Sequence, residues 1–136
     1  SAKKVAIKGD GASDAYSGSD TVKFLATGVA DRVFFATNKS TLTTAAKQTL
    51  SKQAAYIKSS KIAVLVEGHA DERGTREYNL ALGERRANAV RDYLMSLGVK
   101  AGDVSVISYG KERPVNSESS KLAWSQNRRS VTVKNK

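Results

Sequence analysis

The stretch VEGHADERGTREYNLALGERRANAV, from Val66 to Val90, joins two apolar segments through a cluster of charged side chains. The segment leading into it, IAVLVEG (Ile62 to Gly68), is short and almost continuously apolar, which is typical of a buried central strand. The segment that follows places apolar or small residues three or four positions apart: Leu80, Gly83, Ala87, Val90, Leu94 and Leu97. Because this spacing lines one face of a helix, we predict a strand, a charged turn and a long helix.

The long helix has recognisable ends in the sequence. Thr75 precedes the periodic segment and carries a hydroxyl that suits an N-cap, and Gly98 follows Leu97 as a stop signal. We therefore expect helix from soon after Thr75 to about Leu97.

The rest of the chain predicts strands and helices around this unit. RVFFA (Arg32 to Ala36) is a β-rich run, and turn-forming residues follow it. An amphipathic helix starting near Thr43 is predicted by Ala46, Leu50, Ala54 and Ile57. Further along, the pattern predicts a strand, a short helix and a closing strand: Val104 to Gly110, Lys121 to Asn127 and Ser130 to Lys134. The fold class predicted is α/β in the form of an α+β sandwich, βαβαββ, with two main helices packed on one mixed β-sheet.

Length and composition favour one domain with a tail. Residues 1–20 contain four serines and three glycines but almost no large apolar residue, so we predict a flexible tether there and a domain at residues 21–136. The first residue is Ser1 rather than methionine, from which we expect a processed or trimmed product. The chain has no cysteine, which excludes disulfides, thiolate zinc sites, cysteine nucleophiles and lipid attachment through a cysteine of this chain.

The net charge of +10 favours an anionic partner. The basic residues are scattered from Lys3 to Lys136, and Trp124 is the only tryptophan. A nucleic-acid reader usually interleaves basic residues with stacking aromatic residues. Nucleic acid is therefore an alternative partner that the pattern does not favour.

The charged turn is the predicted functional site, because ligands of open α/β sheets commonly bind beyond the carboxyl ends of strands. Helical rotation puts Asn79, Leu82 and Arg86 on one stripe beside the core face, and the Arg86 side chain slants toward the turn that carries Asp71. An Asp and an Arg presented together suit a zwitterion. The alternative is that Asp71 and Arg86 pair with each other as a structural salt bridge, and spacing alone supports both interpretations equally.

A metal site and a hydrolytic site are two further possibilities at the same turn. Glu67, His69 and Asp71 would point to one side of an extended strand, but one histidine with two carboxylates is a thin ligand set for zinc. No G-x-S-x-G or H-E-x-x-H pattern is present. We therefore predict neither a metal nor another cofactor, and no enzyme, and expect His69 to be a buried or hydrogen-bonded loop residue.

The residues also carry a resemblance to a known family. GHADERGTREYNLALGERRANAVRDYL resembles the OmpA-like C-terminal domains, and among them the peptidoglycan-associated lipoproteins (Pal). Supporting matches are RVFFATNKSTL, VISYGKERP and NRRSV, so the resemblance spans about Asp31 to Val133. It implies a mixed sheet with two main helices, which agrees with the pattern above.

The resemblance also implies a function and a site. The family binds peptidoglycan without a covalent bond, through the zwitterionic end of meso-diaminopimelate in the stem peptide. The essential Asp and Arg of the family correspond to Asp71 and Arg86. The other pocket positions correspond to Asn79, Leu82, Phe35 and Ala36, the last two through backbone groups.

The Pal resemblance implies a cellular role that residue spacing does not address. It places the domain at the periplasmic face of the outer membrane, held by a lipid anchor and engaged with TolB and possibly TolA of the Tol system. Wall anchoring without Tol partners is the close alternative, and a metal-dependent cell-wall hydrolase is a remote one. This chain departs from the family in having Ala36 where Asp or Gly is frequent and in lacking the lipidated cysteine, for which we expect trimming.

Overall fold

The structure is a computed structural model that describes residues 14–135. Its strands and helices, in chain order, are β1 (Phe24–Ala26), β2 (Val29–Ala30), β3 (Arg32–Phe34), α1 (Thr44–Ser60), β4 (Ala63–His69), α2 (Arg76–Ser96), β5 (Val104–Gly110), α3 (Lys121–Asn127) and β6 (Arg129–Asn135). A four-stranded sheet has the order β3-β6-β4-β5, in which β4 and β5 are parallel and the other pairs are antiparallel. Helices α1 and α2 pack on this sheet, so the predicted α+β fold with a mixed sheet is confirmed.

The two main helices begin where the sequence predicts. The Thr43 hydroxyl accepts a hydrogen bond from the Ala46 amide, and the Thr75 hydroxyl accepts one from the Tyr78 amide, each at 3.0 Å. Each bond satisfies an amide that has no partner within its helix. Capping therefore fixes where α2 starts and where the charged turn ends.

A short hairpin of β1 and β2 was not predicted. The two strands have three and two residues, which is too short for an alternating pattern to be recognisable. Gly28 turns the chain between them with a φ of 75°, a conformation that glycine adopts without steric cost.

The predicted inner face of α2 was wrong at its first position. Leu80 is 39% exposed, whereas the polar residues Asn79 and Arg86 are buried beside Leu82. Next to Leu80 the helix backbone lies against β5, because a Cβ on Gly110 would come within 3.1 Å of the Leu80 Cα. This approach directs the Leu80 side chain outward and turns the polar stripe of the helix inward.

Helix α2 crosses β4 at a contact between two glycines. A Cβ on Gly68 would lie 1.7 Å from the Gly83 carbonyl oxygen, and a Cβ on Gly83 would lie 2.3 Å from the Ser108 Oγ. Only glycine permits such an approach of helix backbone to strand backbone. The contact fixes Leu82 and Arg86, on the same part of the helix, near the carboxyl end of β4.

The polar end of β4 points away from the helices. His69 is 1% exposed, stacks on Tyr109 and lies with its Nε2 3.0 Å from a carboxylate oxygen of Glu67. Burial lowers the pKa of His69, and the hydrogen bond that the Glu67 carboxylate accepts from the ring offsets only part of that effect. His69 is therefore neutral at pH 7, which fits the prediction that it is buried and hydrogen-bonded.

Most of the predicted tether, residues 1–13, lies outside the described residues. The part that is described contacts the domain: the Asp14 carboxylate accepts hydrogen bonds from the Thr37 amide and hydroxyl, and the Tyr16 ring packs edge-on against Phe34 at 5.0 Å. Within residues 14–135, no helix has the length and apolar character that a membrane span needs.

The contact between glycines predicts that Gly68→Ala is destabilising. The added methyl group meets backbone atoms that cannot swing aside, so we expect a loss of about 1 to 3 kcal/mol in the free energy of unfolding, measured by urea denaturation. Gly102→Ala is the control, because a Cβ there meets nothing within 4 Å. Equal stability of the two variants would show that α2 and β4 are not in close contact.

The environment of His69 predicts an unusual titration. As the only histidine of the chain, it gives one imidazole signal in an NMR titration, and we expect its midpoint below 6.5. Glu67→Gln should lower the midpoint further, because the carboxylate favours the charged ring. Between pH 6.5 and the folded midpoint the unfolded chain binds more protons, so the contribution of His69 to stability is lost as the pH falls through this window.

Candidate functional site

A pocket of about 470 Å³ opens beyond the carboxyl end of β4. We call it the Arg86 pocket, and its lining residues are Thr37, Asn38, Asp71, Arg73, Gly74, Tyr78, Asn79, Leu82 and Arg86. The fold thus brings together four of the six predicted site residues, which lie on the charged turn and on one stripe of α2.

Arg86 is held by backbone carbonyl groups from three segments. Its Nε donates to the Lys39 carbonyl at 2.8 Å, and its two terminal nitrogens donate to the carbonyls of His69 at 2.9 Å and Ala36 at 3.1 Å. The guanidinium also lies 5.2 Å from the centre of the Phe35 ring. Arg86 therefore ties the loop after β3 to the end of β4, so it has a structural role that neither sequence-based interpretation included.

The charge of Arg86 is buried without a carboxylate partner among the described residues. Its exposure is 0%, and burial together with repulsion from Arg128 lowers its pKa to about 9, against a smaller attraction from Asp71. At pH 7 the guanidinium remains charged. The carbonyl dipoles and the attraction of Asp71 compensate this buried cation only in part, so it attracts an anion.

Asp71 pairs with arginines other than Arg86. Its carboxylate accepts two hydrogen bonds from the Arg73 side chain, at 3.1 and 2.8 Å, and one from the Arg73 amide at 2.9 Å. An Arg128 nitrogen lies 3.4 Å from the same carboxylate. The structure therefore does not contain the predicted alternative of an Asp71 to Arg86 salt bridge.

Asp71 is ionised at neutral pH. Burial by itself would raise the pKa of the carboxyl group, but the hydrogen bonds from Arg73 and the charges of Arg73 and Arg128 outweigh it and hold the pKa below 3.8. The pocket thus presents a fixed negative charge beside the fixed positive charge of Arg86.

Two residues of the first turns of α2 connect the pocket walls. The side-chain amide nitrogen of Asn79 donates to the carbonyl of Arg73 at 2.7 Å and to the carbonyl of Thr75 at 3.1 Å. These bonds hold the charged turn against the helix. The Tyr78 hydroxyl donates to the Asn38 side chain at 3.3 Å. The helix, the turn and the loop after β3 are therefore joined around the pocket.

Phe35 and Ala36 lie behind the pocket and do not line it. Both are buried. The Phe35 amide donates to the Arg128 carbonyl at 2.9 Å, and the Nε of Arg128 donates to the Phe35 carbonyl at 2.8 Å. The Ala36 carbonyl accepts from Arg86 and from the Lys39 amide. Their predicted backbone contacts with a ligand stay a prediction.

Sequence reasoning missed three residues that shape the site. Arg73 and Arg128 bind Asp71, and Thr37 lines the pocket from the loop after β3. Both arginines stand in stretches that the sequence analysis quotes, Arg73 in the charged turn and Arg128 in NRRSV. The local sequence does not show which carboxylate each arginine contacts.

The structure separates the three residues considered for a metal. Glu67 and His69 contact each other on the face away from the helices, while Asp71 lies in the Arg86 pocket. Within residues 14–135, no three His, Asp or Glu side chains are placed to share a metal ion. The opposite fixed charges of Asp71 and Arg86 instead suit a small zwitterionic group.

Comparison with known proteins agrees with the fold. Residues 34–128 match the OmpA family. The peptidoglycan-associated lipoprotein of Brucella melitensis is 55% identical over 108 residues, which are 79% of this chain and 64% of the relative. The chain therefore spans less than two thirds of the length of that relative.

Solved structures of similar fold carry related names. The crystal structure of the peptidoglycan-associated lipoprotein from Burkholderia pseudomallei is 40% identical, with a TM-score of 0.75 over 77% of this chain and 90% of that one. The cell wall anchor of the T6SS from Pseudomonas aeruginosa is 26% identical, with a TM-score of 0.66 over 85% and 87% of the two chains. The chain belongs to the OmpA family, in the group of the peptidoglycan-associated lipoproteins.

Proposed function

We propose that this domain binds peptidoglycan without a covalent bond, through the zwitterionic end of meso-diaminopimelate in the stem peptide. In this proposal Arg86 takes the carboxylate and Asp71 takes the ammonium of one carbon. The observation that carries it is the buried Arg86 guanidinium, which lacks a carboxylate partner among the described residues and lies in the same pocket as an ionised aspartate.

The hydrogen bonds of Arg86 leave two of its N–H groups unused. A guanidinium has five N–H groups, and Arg86 uses three of them on backbone carbonyls. One N–H group remains on each terminal nitrogen, and such a pair can bind both oxygens of a carboxylate. The carboxylate would supply the negative charge that the carbonyl dipoles do not.

An ammonium group must share Asp71 with Arg73 or replace it. The Arg73 side chain is 41% exposed, so it can leave the carboxylate without uncovering a buried charge. Arg128 is buried and stays in place at 3.4 Å. We therefore assign the exchange to Arg73, with Leu82 and Asn79 as the wall against which the carbon chain of the ligand lies.

The names of the relatives support the coarse function. The relatives from Brucella melitensis and Burkholderia pseudomallei are called peptidoglycan-associated, and the relative from Pseudomonas aeruginosa is called a cell wall anchor. Wall anchoring needs a held ligand rather than a converted one. We accordingly propose a binding protein and not an enzyme.

The cellular role is proposed on the same basis. In the full-length protein we place the domain at the periplasmic face of the outer membrane, held by a lipid anchor outside this chain and engaged with TolB and possibly TolA. Anchoring without Tol partners remains the second candidate.

We retain the division into a tether and a domain, with the boundary moved to before Asp14, because Asp14 and Tyr16 contact the domain.

Three matched muropeptides test the zwitterion site. We expect the native peptide to bind at least about tenfold more tightly than an amidated peptide, which lacks the carboxylate charge, and than a lysine-type peptide, which lacks the carboxylate. Calorimetric titration at two salt concentrations is the measurement. Equal binding of all three, fading with salt, would indicate only attraction between a basic protein and an acidic wall.

Asp71→Asn tests the other half of the site. The side chain keeps its size but loses its charge, so we expect affinity for the native muropeptide to fall by about 1.5 to 3 kcal/mol. Asp92→Asn, on the exposed side of α2, is the control with the same change in net charge. Unchanged binding by a folded Asp71→Asn variant would refute the role of Asp71. Arg86→Ala is not a clean test, because it also leaves three carbonyl groups without their donor.

A further inference from the structure

A second hollow adjoins the Arg86 pocket. It has a volume of about 450 Å³ and is lined by Asp14, Thr37, Arg73, Lys121, Leu122, Trp124, Ser125 and Arg128. We call it the Trp124 hollow. It shares Thr37 and Arg73 with the Arg86 pocket, so one ligand can reach both by passing Arg73.

The wall between the two sites is a movable side chain. Arg73 contacts Asp71 on one side, and on the other its guanidinium lies 4.2 Å from the centre of the Trp124 ring. The indole nitrogen of Trp124 donates to Glu72 at 2.8 Å, which fixes the ring. A ligand group that displaces Arg73 from Asp71 can therefore contact the Trp124 ring, which lies on the other side of Arg73.

Two side chains of the hollow have no evident role in the fold. Leu122 is 55% exposed, although α3 buries Ala123, Gln126 and Asn127 on its other side. Lys121 is exposed, and its side chain has no hydrogen bond or ion pair with any of residues 14–135. By contrast, Arg128 is already paired with Asp14 and Asp71. The hollow thus combines an exposed apolar side chain with an available cation.

We propose that the Trp124 hollow is a second subsite for the same stem peptide and binds a second free carboxylate, on the residue next to the diamino acid. Lys121 takes this carboxylate, and Leu122 and Trp124 contact the aliphatic part of that residue. The inference rests on the proposed function, because it requires the first subsite to hold the diamino acid. An amino acid linked through its side chain supplies the required group, since its α-carboxylate stays free.

Charge and geometry favour this occupant over a neutral one. The cations Arg73, Lys121 and Arg128 line the hollow, against the single anion Asp14. Asp14 is held by Thr37 and Arg128 and does not reach Lys121 as an ion pair. Arg73 and Arg128 are already paired with carboxylates, so an added carboxylate meets the positive charge of Lys121 at the point where the apolar wall begins.

The test uses three probes that share the zwitterionic end of the diamino acid, and the two tripeptides differ only in the carboxylate assigned to the second subsite. They are free meso-diaminopimelate, the tripeptide L-alanyl-γ-D-glutamyl-meso-diaminopimelate, and the same tripeptide with its glutamyl carboxylate amidated. Wild type, Lys121→Gln and Lys52→Gln are titrated with each probe by calorimetry. Lys52 is exposed on α1 and controls for the loss of one positive charge.

We expect Lys121→Gln to weaken binding of the native tripeptide by about two- to fivefold, as for an exposed ion pair, and to leave the other two probes unchanged. Lys52→Gln should change none of the three. Leu122→Ser should weaken both tripeptides but not the free diamino acid, because an apolar contact does not depend on the carboxylate.

Three outcomes would overturn the subsite. An equal effect of Lys121→Gln on the native and amidated tripeptides would indicate general attraction, and no effect on any probe would indicate a solvated lysine. Equal binding of the two tripeptides by wild type would show that the second carboxylate is not recognised. Failure of wild type to bind free meso-diaminopimelate or either tripeptide would instead refute the first subsite, and with it the proposed function.

Discussion

The site depends on one buried cation. The Arg86 guanidinium joins the loop after β3 to the end of β4 through carbonyl groups of Lys39, His69 and Ala36. Placing a charge where water does not reach costs free energy, and dipoles return only part of it. The lowered pKa of Arg86 expresses that incomplete compensation. The same bonds hold the pocket walls together, and in the proposed function they keep the cation in position for an anion.

The neighbouring charges set the strength of this arrangement. Arg128 repels Arg86, and after burial it is the largest influence that lowers the pKa of Arg86, although Arg128 is itself paired with Asp71 and Asp14. Asp71 in turn is shared between Arg128 and the more exposed Arg73. Among the residues that the structure describes, Arg73 is therefore the partner of Asp71 that can leave at low cost. A ligand that carries both charges can pair with Arg86 and replace Arg73 at Asp71. An anion alone can pair with Arg86 but leaves Arg73 bound to Asp71.

The sequence predicted the fold well because its signals are local. Capping at Thr43 and Thr75 and the periodic segments between turns do not need the tertiary structure to be recognised. Leu80 was misplaced because apolar spacing does not show where a helix backbone touches a strand, and that contact depends on Gly68 and Gly83. The stripe that carries Arg86 was placed correctly by helical rotation, since its orientation follows from the same geometry that defines the helix.

The ion pairs of the site could not be predicted in this way. Sequence spacing left open whether Asp71 pairs with Arg86. In the structure, Asp71 pairs with Arg73 and Arg128 instead. Arg128 stands 57 positions from Asp71, so only the return of β6 to the centre of the sheet brings them together. The net charge of +10 is equally uninformative about the pocket, because surface charges act over distance and are screened by salt. The proposed function therefore assigns selectivity to Asp71 and Arg86, because both side chains are buried and their charges are largely shielded from solvent.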